Sequence, residues 1–367
     1  MPLPSAPASS TDMAVPSGGV TPAAPTERGW AKLLLVVVAF VFIPTIPQFQ
    51  ALLPMERTFV LFVPAMAACA LVGWWAGGRA FLALAWVALA TLLMVQTDAV
   101  PGGFYNLVRG WSLLLAGSFG FVCLFGPHRP FFPRALLALV ITLALALIMS
   151  LVGPVSMSQA SKTVADELAR RNSASMSMVK SVIQDYPKEW SDWSAKVPQL
   201  AELPDVMDKA LAVLSAAGTA VFPALLALES LAALALAWAT YHRLGRARLG
   251  APLRPLREFR FNDQLVWGLI VGLTIMLLPT LSSFRGLGEN LLVFFGALYA
   301  VRGFGVLTWF MAPRNLGIAL AVGFIMLCAP VVQVFAFLGF MLIGVASLAL
   351  GLGDTWADWR SRVRPTH

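Results

Sequence analysis

Residues Gly245–Asp263 read GRARLGAPLRPLREFRFND, with Arg246, Arg248, Arg254, Arg257 and Arg260 set against only Glu258 and Asp263. The chain around this run is 59% apolar and 12% charged. Why so much positive charge collects at one point decides the architecture. The run lies between two long apolar segments, 208–241 and 264–284. A short basic gap in that position marks a loop held on one side of a membrane. Gly250, Pro252 and Pro255 break any continuous helix, so the arginines cannot form the single face that a nucleic-acid-reading helix presents.

Composition supports this reading. Mean hydropathy is +0.78, and the charged share is roughly half the ~25% of a soluble domain. A water-soluble fold could not hide so much apolar surface, because about half of any folded surface still faces water. The 12 Trp and 24 Phe residues suit a protein whose helix ends sit among lipid headgroups. A net charge of +8 would suggest nucleic acid in a soluble protein. Here the basic residues fall in short gaps between apolar runs, so membrane orientation explains them and no nucleic-acid partner is expected. Cys69, Cys123 and Cys328 each lie in an apolar run, which predicts small buried side chains rather than disulfides. His128, His242 and His367 have no metal-ligand spacing, and no cofactor is expected.

Residues 1–28 form a Pro-, Ser- and Ala-rich tail with the composition of a disordered segment. With about 20 residues needed per span, the apolar segments fall at about 30–52, 58–77, 79–97, 105–126 and 133–155. After a polar interval come 208–241, 264–284, 289–312, 315–331 and 332–352. The predicted fold is an all-α polytopic membrane protein of about ten transmembrane helices, eight or nine being the alternatives. The domain order is a five-helix bundle over 29–155, an external amphipathic cap over 156–207, a second bundle over 208–353 and a basic tail over 354–367. Placing Arg28 and Lys32 inside puts Arg79, Arg134, the arginine run, Arg314 and the tail arginines on that same side. Both termini are then cytoplasmic. Within the cap, Val164, Leu168, Val179, Ile183 and Tyr186 recur at helical spacing, Asp205 is placed to cap the helix that follows, and Asp263 to cap the one after the arginine run.

No phosphate loop, zinc-protease motif or nucleophile elbow is present, and the expectation is that the chain is not an enzyme. Ionisable residues at membrane depth carry more information, since each costs a few kcal/mol unless paired or hydrated. Glu229, in ALLALESLAAL, and Arg302, in ALYAVRGFGVL, lie near the middles of separate apolar segments. Their expected role is a polar site lining a solute path, with a buried ion pair that fixes helix packing as the equal alternative. Glu289 and Asn290 read as helix-capping residues. Ser112, Ala116 and Gly120, with Gly73, Gly77, Gly296 and Ala300, form small-residue ladders suited to close helix packing.

Three stretches carry a resemblance: FPALLALESLAALALAWATYHRLGRARLG with PLREFRFND, then ENLLVFFGALYAVRGFGVL, then LGLGDTWADWRSR. In this order they resemble the YybS-like family of uncharacterised bacterial polytopic membrane proteins. That family is distantly similar to the substrate-binding subunits of energy-coupling-factor transporters. The resemblance implies a bacterial inner-membrane location, binding of a small-molecule solute and a separate membrane or ATPase partner subunit. The competing expectation is a non-transporting scaffold whose basic inner loop recruits a partner. In either case the arginine run is expected to anchor the inner surface against membrane lipids.

Overall fold

The computed structural model describes residues 30–45, 54–96, 103–126, 130–153, 156–196, 202–310 and 333–358, and among them there is no β-strand. The helices are α1 (Trp30–Phe42), α2 (Phe59–Trp75), α3 (Ala80–Val95), α4 (Gly103–Phe125), α5 (Phe131–Val152) and α6 (Met157–Asp185). They continue with α7 (Pro187–Lys196), α8 (Leu203–Leu244), α9 (Val266–Leu277), α10 (Arg285–Phe310) and α11 (Gln333–Ala357). Four stretches are long and apolar enough to cross a membrane: Gly103–Phe125, Phe131–Val152, Ala216–Leu244 and Pro279–Phe310. Shorter apolar helices include Phe59–Trp75, Ala80–Val95 and Asp263–Leu277. The expected tail over 1–28, the segment 315–331 and the closing arginines lie outside the described residues.

Long α8 is the hub, packing against α2, α5, α6 and α10. Side-chain contacts define two ends. At one, which we call the cap end, Gly103 opens α4 beside Thr163 of α6. At the other, the linker end, Gly73 of α2 meets the Tyr241 ring of α8 and Gly78 approaches Ala247. Ser112 donates to the Val60 carbonyl at 2.5 Å, and Gly120 faces Ala68. The small-residue ladder of α4 therefore serves packing against α2. Gly296, expected in a similar ladder, has no neighbour at its Cβ position. The close crossing falls two turns further on: a Cβ on Gly303 would collide with the Ser347 carbonyl, and one on Gly351 with the Tyr299 carbonyl. Only glycine lets two helix backbones meet so closely.

Helix ends depart from expectation in instructive ways. Ser156 and Gln159 form a reciprocal capping box: Gln159 N–H donates to Ser156 Oγ at 3.3 Å and Ser156 N–H to Gln159 Oε1 at 3.0 Å. This fixes where α6 begins. Asp205 is not the N-cap of α8; the helix starts earlier, with Glu202 at that position and Pro204 in the first turn, where proline lacks only an N–H that would be unpaired anyway. Asp263 does not cap either, because Asn262 accepts from Gln264 N–H at 3.0 Å and takes that role. Glu289 and Asn290 sit inside α10, which begins at Arg285.

Asn290 instead bonds across to α8. Its Oδ1 accepts from Ala224 N–H at 2.9 Å and its Nδ2 donates to Ala220 O at 2.8 Å. In an unbroken helix those two groups bond each other. Pro223 lies between them, and its ring strains the preceding turn. A side-chain amide inserted there keeps both groups satisfied where the helix is weakest.

Candidate functional site

A charged cluster occupies the cap end, where α6 lies across the start of α4 and the N-terminal half of α8. Val164, Glu167, Leu168 and Arg171 share one face of α6 at helical spacing, and all four are buried. Arg171 is 1% exposed; its Nε donates to Glu167 Oε1 at 2.8 Å and its Nη1 to the Pro54 carbonyl at 3.3 Å. Its guanidinium lies over the Phe104 ring, 5.1 Å from the centroid. Arg170 forks onto the same carboxylate at 2.8 and 2.6 Å. Burial alone would push the Glu167 carboxyl up, but the hydrogen bonds from Arg170 and Arg171 outweigh it and hold it below the usual glutamate range. The Arg170 guanidinium is raised in return, chiefly by its hydrogen bonds to Glu167. Tyr105 donates to Glu56, and Arg57 stands over the Tyr105 ring at 4.7 Å.

Glu229 lies at the membrane side of this cluster. The Met55 amide hydrogen-bonds to its carboxyl and the Arg171 charge bears on it. Its Oε2 is buried without a hydrogen-bond partner. A buried carboxyl oxygen in that condition costs about 1–3 kcal/mol.

The structure does not join Glu229 to Arg302. Arg302 turns toward the linker end, where its Nη1 donates to Asp263 Oδ1 at 2.6 Å and its Nε to Asp354 Oδ2 at 3.1 Å. Arg302 and Asp354 are 3% and 1% exposed. The guanidinium rests over Phe261, 5.4 Å from the centroid. Arg302 thus ties the start of α9 to the end of α11, and its ion pairs are with Asp263 and Asp354 rather than with Glu229. Asp263, Arg302 and Asp354 come from the three stretches that carry the sequence resemblance, and here they meet.

Between α6 and α8, next to the charged cluster, runs an open groove of about 620 Å³, within the size range of small-molecule sites. Alanines of both helices line it, with Asn172, Ser173, Ser177, Lys180, Asp208 and Thr219. Composition flagged this region only as a cap. The signal that was available is the Glu167–Arg171 pair, four residues apart on the same face as Val164 and Leu168.

The arginine run is a folded element. Four carbonyls of its first turn each receive a side chain: Tyr241 Oη donates to Ala247 O at 3.0 Å, Arg134 Nη1 to Leu249 O at 2.7 Å, and Trp238 Nε1 to Ala251 O at 3.1 Å. A ring nitrogen of His242 meets Gly250 O at 3.1 Å. Gly250 has φ +153° against the Arg134 guanidinium, where a Cβ would find Nη2 at 2.9 Å. Phe261 stacks on Phe132 at 5.5 Å and is buried. Arg246, Arg248, Arg254, Arg257 and Arg260 all point outward and are exposed. Arg260 reaches Asp358 at 2.7 Å.

Among the described residues no group of His, Cys, Asp or Glu is placed to hold a metal ion. No curated protein and no solved structure matches the chain. A family model does match, over residues 33–346, a span that takes in the cap-end cluster, Asp263 and Arg302 but ends before Asp354. The chain belongs to the family described as predicted membrane proteins (DUF2232).

Proposed function

We propose that this multi-pass membrane protein binds or moves a small solute, and that the solute enters at the cap end. The observation that carries this reading is Glu229. Its buried, unpartnered carboxyl oxygen lies at membrane depth beneath Arg171, and a groove of ligand size opens beside the same cluster. Ionisable groups inside a membrane mark solute and ion paths more often than they serve stability. The resemblance to substrate-binding subunits of energy-coupling-factor transporters points the same way, with energy supplied by a separate partner. On this reading both termini are cytoplasmic, the membrane is the bacterial inner membrane and the groove faces outward.

The test is native mass spectrometry of the full chain in lipid nanodiscs. The expected result is a co-released small molecule that is lost in Glu229→Gln and in Arg171→Gln. A wild-type protein that carries no small molecule, and that copurifies only with cytosolic or envelope proteins, would overturn the reading. That outcome favours the second reading, a membrane scaffold. The rigid display of five exposed arginines on a clamped linker supports this alternative, since a loop serving only as an orientation signal needs no such clamp.

A further inference from the structure

We infer that the groove between α6 and α8 takes solutes carrying both a free ammonium and a free carboxylate: amino acids or short peptides with small side chains. The inference rests on the solute-binding reading above and names the solute class of that site.

Register is the first argument. Leu168 of α6 touches Gly218 of α8, with Cδ1 3.6 Å from the glycine's Cβ position. The helices are antiparallel, so Lys180, twelve residues beyond Leu168, and Asp208, ten before Gly218, stand about 18 and 15 Å further out. One wall of the groove therefore ends in a cation and the other in an anion at nearly the same level. Neither side chain has an ion-pair or hydrogen-bond partner among the described residues, and the two do not pair with each other.

Hydrogen-bond capacity is the second. Ser173 Oγ already donates to Ala169 O at 3.0 Å and Ser177 Oγ to Ala174 O at 2.7 Å. Their protons are committed to the helix, so both hydroxyls meet a ligand as acceptors. Asn172, half-buried, has an amide with no partner among the described residues and offers both donor and acceptor. The walls thus present an excess of acceptors, which suits an ammonium with three N–H donors. The Lys180 ammonium suits the opposite pole.

Charge balance then excludes the alternatives. A purely anionic solute would bring its charge against Asp208, and a purely cationic one would do the same at Lys180. A neutral polyol would desolvate both without pairing either. The apolar lining is alanine from both helices together with buried Met176 of α6, a surface that suits a small aliphatic side chain.

The test uses the full chain in nanodiscs and titration calorimetry with alanine, dialanine and trialanine, each also as the N-acetyl and the C-amide form. At least one free form is expected to bind, and blocking either terminus to weaken it about tenfold, the equivalent of about 1.4 kcal/mol. Lys180→Gln should erase the difference between acid and amide, and Asp208→Asn the difference between amine and N-acetyl. Both side chains are exposed, so an unchanged Tm will show that the variants stay folded. The inference fails if blocked and free forms bind alike, if no alanine form binds, or if either substitution leaves the preferences untouched. A natural solute found by mass spectrometry that lacks one of the two charges would sink this inference and leave the solute-binding reading standing. No solute at all would remove both.

Discussion

Glu167 serves two arginines with opposite surroundings. Arg171 is almost wholly buried, whereas the Arg170 side chain is 46% exposed. Removing the carboxylate's charge strands Arg171 in a dry site, which costs about 3 kcal/mol by analogy with broken buried pairs. The Arg170 contact, screened by water, adds little. Because the folded pKa of Glu167 is depressed, its contribution is complete above the ordinary glutamate value of about 4.3. It is lost as pH falls from there through the lower folded value. We expect the protection of α6 amides, measured against the unfolded-chain exchange rate at each pH, to fall on acidification below about pH 4.3. In Glu167→Gln that protection should be low already at pH 7 and flat with pH. Equal protection in the two proteins at pH 7 would show that the pair does not hold α6 down. At this scale the sequence displayed the charges but not their partners. Glu229 and Arg302 were recognisable because a charge inside an apolar run stands out. Which carboxylate Arg302 reaches depends on chain crossings 39 and 52 residues apart in sequence, which no local pattern encodes.

Helices themselves were legible, because apolar length sets a span and glycine, proline and charge punctuate it. The expected segments 58–77, 79–97 and 105–126 became Phe59–Trp75, Ala80–Val95 and Gly103–Phe125. Caps were less legible, since any Asp, Asn or Ser near a boundary competes for the role and backbone geometry chooses among them. Asn290 shows the limit. As a residue near a helix start it reads as a cap, yet its amide supports the Pro223 turn of another helix. Replacing it by Leu leaves Ala224 N–H and Ala220 C=O without this partner beside the proline break. We expect a loss of about 1 kcal/mol, read as a lower Tm in nanodiscs. Exchange should rise at residues 220–224 ahead of the rest of α8. Asn290→Gln, with a longer arm, should recover only part of it. If Pro223→Ala in the Asn290→Leu background restores the Tm, the amide's role is to mend the proline break. If it does not, Asn290 acts through its bond to Gly286 O at 2.7 Å and the account of the break is wrong.

For the whole molecule, the arginine run combines two properties that reside in different atoms. The outward guanidinium groups of Arg246, Arg248, Arg254, Arg257 and Arg260 are what an insertion machinery or an anionic headgroup layer would feel, each worth about 1 kcal/mol near such a surface. The inward backbone is held by Trp238, Tyr241, His242 and Arg134. Three of these contacts run from the last turns of α8 to the chain that directly follows it, and only the Arg134 contact brings in α5. The charges thus face what surrounds the fold, whereas the clamp acts within it. Changing the five arginines to Gln should yield a mixture of orientations by cysteine accessibility at Lys180→Cys. The correctly oriented fraction should keep a Tm close to that of the parent, because exposed substitutions of this kind cost within about 0.5 kcal/mol each. Trp238→Phe with Tyr241→Phe should do the reverse. Orientation should stay uniform while the Tm falls, because two linker carbonyls lose their donors at about 1 kcal/mol each. An inverted fraction in the clamp variant, or a uniform orientation in the arginine variant, would show that the charges do not set orientation. The run would then be a docking face first, as the scaffold reading requires.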